Sequence, residues 1–313
     1  MAWEAGAASL LILGIIAGLY WMVTPSVPGE AVILDLAMPA GVEMSDYPSG
    51  AFSKDGRQFV FVGGDKNGTA LWLRSLGSPA SRKLEGTEGA EQPQLPIWSP
   101  DGRYLLFAAD NKIKKIELAS GTIDPLWTDP SGLARPEGRF IIYGESGVNL
   151  QVGSVDDETR KATTIANSGS PDQARFSPDG RWIAFNAVES GTVAGTEQCQ
   201  VFVSAYPPRG APQRITDHGG VQPIWREDGR ELYYLDPAGN LMAIPVVQTE
   251  PNFGVGAPRL LFKTGLKKVS WEVEDYAVAD NGKRFLVKLP TEGETQAGFT
   301  IVLNWPALLA GAK

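Results

Sequence analysis

Four stretches of this chain are variants of one phrase: FSKDGRQFVFVG (52–63), WSPDGRYLLFAA (98–109), FSPDGRWIAFNA (176–187) and WREDGRELYYLD (225–236). A catalytic motif is needed once, whereas a recurring phrase marks an architectural unit. In each, an apolar residue ends one short run, an Asp-Gly pair turns the chain, and an Arg precedes a second run. That run is too short and too rich in aromatic and β-branched residues for a helix. Looser versions at Glu137-Gly138 and Asn281-Gly282 bring the turn marks to six, at intervals of 46, 36, 42, 49 and 53 residues. The mean is close to the roughly 40–45 residues of a four-stranded propeller blade.

Further strand-like runs follow most turns: ALWLRSL and SRKLEG, KIKKIEL and GTIDPLW, QVFVSAY and PQRIT. The sequence therefore predicts an all-β chain, a six-bladed β-propeller over 31–305. Its third repeat, LARPEGRFIIYG, lacks the Ser-Pro-Asp phrase, and a shortened or distorted blade is expected there. The last repeat supplies only EDYAVA, RFLVKL and FTIVLNW, so residues 31–37, AVILDLA, are expected to close the last blade as its missing strand. Residues 306–313 form a tail.

Ahead of the propeller, Ala5 to Val23 run for 19 residues without a charge, with Tyr20 and Trp21 near the end. About 20 apolar residues cross a bilayer as a helix, and amphipathic rings favour its interface. The expectation is one N-terminal transmembrane helix or signal anchor over 1–24, preferred to a cleaved signal because MAWE has no basic n-region. A Pro- and Gly-containing linker follows at 25–30. The first basic residue beyond the segment is Lys54, too distant to set orientation by charge.

With 36 Asp and Glu against 28 Lys and Arg, the net charge is −8, and no dense basic stretch stands ready for a row of phosphates. Nucleic acid is not an expected partner. Cys199 is the single cysteine, so neither an internal disulfide nor a thiolate metal cluster can form.

The WSPDGR and FSPDGR phrases, with loops such as GTEGAEQPQLPIW before them, resemble the TolB-like and WD40-like β-propeller repeats of bacteria. Similar repeats build the propellers of the dipeptidyl peptidase IV and prolyl oligopeptidase families. The order of a membrane segment, AVILDLAMPAGVEMSDYPSGAFSKDG and a closing FTIVLNWPALL resembles more closely the extracytoplasmic propeller region of bacterial transmembrane serine/threonine kinases. That resemblance implies a cell-membrane protein whose propeller lies in the periplasmic or extracytoplasmic space. It does not extend to a kinase domain, because no Gly-rich loop, HRD-like or DFG-like word occurs.

Candidate chemistry is sparse. His218 is the only histidine, which excludes a metal site built on more than one imidazole. GESGV (144–148) imitates a nucleophile elbow but falls in a hairpin turn. Asp55, Asp101, Asp179 and Asp228 resemble a carboxylate ring, yet each precedes Gly-Arg and fits a turn-forming role. Asp65 to Gly68 is better explained as a hairpin than as a calcium loop. Trp98, Trp182, Trp225, Tyr233 and Tyr234 are expected in the packing between blades.

The loops joining one blade to the next should converge on one face, which makes Glu88, Glu91, Asp172, Gln173, His218 and Gln222 the candidate ligand-binding residues. No catalytic residue, metal or cofactor is expected. The leading expectation is a non-catalytic, membrane-anchored module that binds a protein, peptide or small ligand. One alternative is a detached sensor region of a receptor-type kinase, and another is a propeller enzyme, a hydrolase or lyase, using carboxylates at the channel mouth.

Overall fold

The computed structural model describes residues 32–303 except 37, 44–49, 54, 79, 91–95, 100, 129–134, 138–139, 146–148, 155–161, 168, 170, 189–198, 251, 267–268, 270–274 and 291–296. The expected membrane segment, linker and C-terminal tail lie outside the described residues, as do Glu91 and most of GESGV. Among the described residues, no helix is long and apolar enough to cross a membrane.

The fold is an all-β propeller. After β1 (Val32–Leu36) the chain makes a first sheet from β2 (Gly50–Phe52), β3 (Gln58–Asp65), β4 (Gly68–Ser75) and β5 (Ser81–Lys83). The second contains β6 (Ile97–Trp98), β7 (Tyr104–Ala109), β8 (Lys112–Glu117) and β9 (Ile123–Thr128). The third contains β10 (Arg135–Glu137), β11 (Phe140–Glu145), β12 (Asn149–Ser154) and β13 (Thr163–Ala166), so the weakest repeat keeps four strands with a first strand of 3 residues. The fourth has β14 (Asp172–Phe176), β15 (Trp182–Val188), β16 (Cys199–Ala205) and β17 (Gln213–Arg214).

In the fifth sheet, β18 (Val221–Trp225), β19 (Glu231–Leu235) and β20 (Asn240–Gln248) are followed by two short strands, β21 (Gly254–Val255) and β22 (Arg259–Lys263). Both pair with β20, β21 near its end and β22 near its start. The sixth sheet contains β23 (Tyr276–Ala279), β24 (Arg284–Pro290) and β25 (Ala297–Leu303), with β1 antiparallel to β25 from Val32 opposite Leu303 to Leu36 opposite Phe299. A strand from the start of the chain thus occupies the outer edge that the last repeat leaves open.

Each sheet must cover its apolar faces with its neighbours. Val60 and Leu71 of the first pack with Leu105 and Phe107 of the second, and Phe52 and Phe59 of the first with Ala279 of the sixth. Tyr233 and Leu241 of the fifth join Tyr276 and Phe285 of the sixth. Val201 and Val203 of the fourth join Leu232 and Tyr234 of the fifth, and Ile183 and Phe185 of the fourth join Ile142 and Val152 of the third. The packing order is second, first, sixth, fifth, fourth, third. Neighbouring sheets also touch through their first strands, β6 with β2, β2 with β23 and β18 with β14, so these strands face the centre.

The repeated turn explains itself locally. Asp101 Oδ1 accepts the Ser99 hydroxyl at 2.7 Å and the Arg103 N–H at 3.1 Å, and Asp179 does the same with Ser177 and Arg181 at 2.6 and 3.1 Å. Gly102 and Gly180 take φ of 71° and 72°, where a side chain would strain the backbone. The indole N–H groups of Trp98 and Trp225 cross to the preceding sheet, donating to the carbonyls of Ala51 and Arg175, each at 3.0 Å. Both acceptors stand four residues before a turn Asp, so one repeat position ties each of these blades to the one before it.

Candidate functional site

At the end of the first strands remote from the Asp-Gly turns, one repeat position behaves differently. Gln173, Gln222 and Asp275 each precede their turn residue, Asp179, Asp228 and Asn281, by six. They begin the inner edges of the fourth, fifth and sixth sheets, and hydrogen bonds join them across all three. The Gln222 side chain donates from Nε2 to Asp275 Oδ2 at 2.8 Å and accepts the Asp275 N–H on Oε1 at 2.7 Å. The Tyr276 hydroxyl donates to the Gln222 carbonyl at 2.7 Å. Toward the fourth sheet, the Gln222 N–H is shared by Gln173 Oε1 at 3.1 Å and Asn186 Oδ1 at 3.2 Å.

Backbone geometry makes this reach available. Gln173 and Gln222 have φ of 50° and 59°, in the left-handed region that non-glycine residues seldom adopt. Both strands slip in register there, between Asp172 and Arg175 and between Val221 and Ile224. The slip re-aims a side chain in the manner of a bulge. Asn186 comes from β15, where its Cα faces Asp172, and Asp172 Oδ1 accepts the Gln173 N–H at 2.6 Å.

Burial turns the cluster into more than a fastening. Gln173, Asn186, Gln222 and Asp275 are 2%, 0%, 1% and 5% exposed. A backbone donor can face only oxygen, so the Gln222 N–H fixes both neighbouring amides with oxygen inward and turns their NH2 groups away from it. Gln173 Nε2 and Asn186 Nδ2 are buried and have no hydrogen-bond partner among the described residues. Buried polar atoms are nearly always partnered, and an orphan donor costs about 1–3 kcal/mol. Two orphan donors therefore belong to one hydrogen-bonded cluster with Asp275, and Asp172 adjoins it through the Gln173 backbone N–H.

The other candidates scatter. Glu88 is exposed and lies 3.6 Å from Lys83 in the first sheet, where Lys83 also meets Asp65 at 3.3 Å. His218 is exposed in the loop from β17 to β18; this loop is held by Gly219 N–H on Gln200 Oε1 at 3.2 Å and Gly220 N–H on Cys199 O at 2.8 Å. Asp172, Gln173 and Gln222 are brought together. Asn186 and Asp275 are added by the structure, and both had a signal. Asp275 shares the offset of Gln173 and Gln222, and Asn186 is the polar residue inside the otherwise apolar WIAFNAV.

Cys199 is buried, and burial with the Asp172 charge pushes its thiol up to about 11, which makes it a poor nucleophile. Among the described residues, no group of three or more His, Cys, Asp or Glu could hold a metal ion. Two cavities lie elsewhere. One of about 610 Å³ is lined by Ile165, Phe185 and Phe202, and one of about 550 Å³ by Trp182, Trp225 and the turn residues Asp179 and Asp228. The carboxylates of the second are already engaged within their turns.

No family model matches the sequence. A curated protein of Bacillus subtilis, described as an uncharacterized peptidase, YuxL, is 28% identical over 161 residues, which are 49% of this chain and 23% of that protein. This chain therefore corresponds to less than a quarter of that relative's length. Among solved structures, oligogalacturonate lyase from Vibrio parahaemolyticus superimposes with a TM-score of 0.51 at 11% identity, over 88% of this chain and 97% of the lyase. The Swd1 β-propeller domain of Myceliophteria thermophila gives 0.54 at 13%, over 83% and 85%. TolB of Acinetobacter baumannii gives 0.43 at 17%, over 91% and 66%. The lyase and Swd1 superpositions establish the β-propeller fold.

The expectation of a non-catalytic module, not an enzyme, is corrected here. The curated relative is described as a peptidase and the solved neighbours include oligogalacturonate lyase, also in complex with manganese. The buried amide and carboxylate cluster agrees with that direction, and the propeller-enzyme alternative is the one carried forward.

Proposed function

We propose that the chain is the propeller of a hydrolase or lyase that works by acid–base catalysis at the mouth of a six-bladed ring. Closing the second sheet onto the third would complete the ring from the packing order described, with β1 as the fourth strand of the last blade. The mouth is the end at which Asp172, Gln173, Asn186, Gln222 and Asp275 meet.

The single observation that carries this reading is a cluster that joins two buried, unpartnered amide NH2 groups with Asp275, with Asp172 adjoining it. Acid–base catalysis needs a carboxylate within hydrogen-bond reach of the proton to be moved, and donors aimed at the oxygen that gains charge. Asp275, held by Gln222 on one oxygen and on its own N–H, is the base in this reading. In a hydrolysis, water bonds to the substrate carbonyl carbon while its proton passes to the carboxylate, and that proton then leaves with the departing group as the old bond breaks. In an elimination, the carboxylate takes the proton from the carbon beside a carboxyl group, the C–O bond one carbon further breaks, and the departing oxygen takes that proton from the carboxylic acid so formed. Gln173 Nε2 and Asn186 Nδ2 supply the donors in either case.

The test is turnover by the purified protein on two panels, end-blocked fluorogenic peptides and oligogalacturonates, the second followed through the ultraviolet absorbance of an unsaturated product. Cleavage in one panel that disappears in Asp275→Asn is expected. A folded protein that turns over neither panel contradicts the proposal. Anchoring through residues 5–23, with the ring outside the cytoplasm, belongs to the same proposal; retention of the full chain in membranes after an alkaline wash tests the anchor.

A further inference from the structure

We propose that the cavity of about 550 Å³ between the fourth and fifth sheets is a binding site for a neutral sugar. It lies at the turn end of β14 and β18, opposite the mouth, and does not depend on the chemistry assigned there. Its volume falls within the roughly 300–1,000 Å³ of sites that hold small molecules.

The cavity is lined where two members of the repeat depart from the pattern. Aligned on the turns, position 182 holds Trp where the first, second and fifth sheets have Gln58, Tyr104 and Glu231. Trp98 and Trp225 each tie a neighbouring sheet through the indole N–H, whereas that of Trp182 has no partner among the described residues. Trp182 and Trp225 line the cavity, and Phe253 contacts both rings, at 5.0 and 5.8 Å between centroids. The third strand departs as well. Tyr104 faces Glu117, where β8 stops after 6 residues; Glu231 faces Pro245, and β20, with 9 residues, runs on through Val246 and Val247 to Gln248. Its register with β21 slips there, which leaves Val247 without a partner in the ladder and 67% exposed. Val246, Val247, Gln248 and Thr249 form the outer wall.

The polar lining sets the chemical class. Asp179 and Asp228 line the cavity with side chains 42% and 28% exposed. Each commits Oδ1 to its own turn, Asp179 to the Ser177 hydroxyl and the Arg181 N–H, Asp228 to the Arg230 N–H. On Oδ2, Asp179 meets the Arg181 guanidinium at 3.5 Å and Asp228 the Arg226 guanidinium at 2.8 Å. An ionised carboxylate offers about four lone-pair sites, so both keep acceptor capacity. Donors stand beside them in the Thr249 hydroxyl and the Arg230 guanidinium, 4.0 Å from Asp228 Oδ2. The Gln248 amide is fixed by donating from Nε2 to the Glu250 carbonyl at 2.8 Å, and Glu250 pairs with Arg181, which ties the outer wall to the turn of the fourth sheet. Signs thus alternate around the cavity, and neither a cation nor an anion meets a uniform field. A neutral sugar matches this set: its hydroxyls both donate and accept, and its C–H faces suit indole and valine surfaces.

Saturation-transfer NMR on the full chain, held in a detergent without a sugar headgroup, reads binding without relying on turnover. The probes are cellobiose and lactose as neutral sugars, tetramethylammonium as a cation and trigalacturonate as an acidic sugar. The proteins are wild type, Asp179→Asn, Gln248→Ala and Trp182→Leu. Asp179→Asn keeps Oδ1 in the turn and replaces only Oδ2 by NH2, and Gln248→Ala trims the exposed wall without touching the turns or the aromatic packing. Asp101→Asn makes the same change in the turn of the second sheet, and Asp275→Asn changes the mouth; both are controls.

At least one neutral disaccharide is expected to bind wild type at about 1 mM or tighter, with the strongest transfer to the C–H protons of one ring face. Affinity should fall about fivefold or more in Asp179→Asn and Gln248→Ala, the loss of one hydrogen bond, and further in Trp182→Leu, while Asp101→Asn and Asp275→Asn bind as wild type. Melting temperatures are recorded alongside, and if Trp182→Leu does not fold the other two variants decide. No binding of either neutral sugar, binding that ignores Asp179→Asn and Gln248→Ala, or binding lost in Asp275→Asn instead would each overturn the site. Tighter binding of tetramethylammonium or trigalacturonate that Asp179→Asn alters would overturn the neutral class. Sugar binding that survives Asp275→Asn, with no turnover in the assay above, would support this site and sink the enzyme reading; turnover without sugar binding would do the reverse.

Discussion

The two ends of the first strands obey different rules. At the turn end, the same residues recur and satisfy one another within a few positions: the Ser53 hydroxyl meets Asp55 Oδ1 at 2.6 Å, Ser99 meets Asp101 at 2.7 Å and Ser177 meets Asp179 at 2.6 Å. Longer ties there are made by arginine, as where Arg284 donates to the Gly56 carbonyl at 2.7 Å across the junction of the sixth and first sheets. At the loop end, the shared position holds Gln173, Gln222 and Asp275. Its bonds span sequence separations of 49 and 53 residues, and two donors are left over. A repeat that satisfies itself locally builds frame. A repeat position whose members differ, and at which a buried donor such as Gln173 Nε2 is left over, is where a ligand can be accommodated.

Breaking the loop end should have the largest effect on stability. Gln222→Leu removes both side-chain bonds to Asp275 and leaves a buried carboxylate short of a donor, for an expected loss of about 3 kcal/mol. Urea unfolding with an unchanged slope measures it, and a loss below about 1 kcal/mol would show that the cross-sheet chain is not structural. The opposite end contains a comparably sensitive spot at Gly282, with φ of 80° and a hypothetical Cβ 2.0 Å from the Tyr233 hydroxyl, so Gly282→Ala should displace that buried ring.

The tryptophans sharpen the comparison at a smaller scale. Trp98→Phe and Trp225→Phe each delete a bond to a neighbouring sheet and should cost about 1–2 kcal/mol. Trp182 packs on Phe253 at 5.0 Å between centroids, but its indole N–H has no partner among the described residues. Trp182→Phe should therefore cost clearly less than the other two. Equal thermal shifts in all three would mean that ring packing, not the cross-sheet bond, carries the effect.

The smallest effect belongs to the turns and depends on pH. The Ser99 hydroxyl and then the Arg103 N–H hold the Asp101 carboxyl down to about 2 from an ordinary 3.8. A group depressed on folding stabilises the folded state above its unfolded pKa and loses that contribution as pH falls toward the folded one. The Asp101 share should thus be complete above about pH 4 and fade between there and about pH 2. Asp55 is lowered by the equivalent Ser53 hydroxyl. Ser99→Ala should therefore cost a little stability above about pH 4, with the difference from wild type shrinking toward pH 2, so that the acid limb flattens; a uniform loss at every pH would point instead to packing.

The frame was legible because its determinants are local. Asp-Gly turns, Ser two residues before and a strand run after are all written within a dozen residues, and Trp98 and Trp225 occupy one offset from them. The site was legible only in part. Asp172, Gln173 and Gln222 stand out as polar residues where loops enter strands, but Glu88 shares that description and is taken up by Lys83 instead. Asp275 follows from aligning the repeats on their turns. No local rule, however, tells that Gln222 will reach both Asn186 and Asp275, because that depends on a left-handed backbone at Gln222 and on how three sheets pack. The functional expectation failed for a related reason: scattered acids in a sequence do not show which become buried in one cluster with unpartnered donors.

The most direct test sets one end against the other in a single assay. Turnover on the responsive panel is compared in wild type, Asp275→Asn and Asp101→Asn, each checked for folding by melting temperature. Loss of activity of about a hundredfold or more in Asp275→Asn, with Asp101→Asn near wild type, is the expected result. Equal activity in Asp275→Asn and wild type would contradict the assignment of chemistry to the loop end.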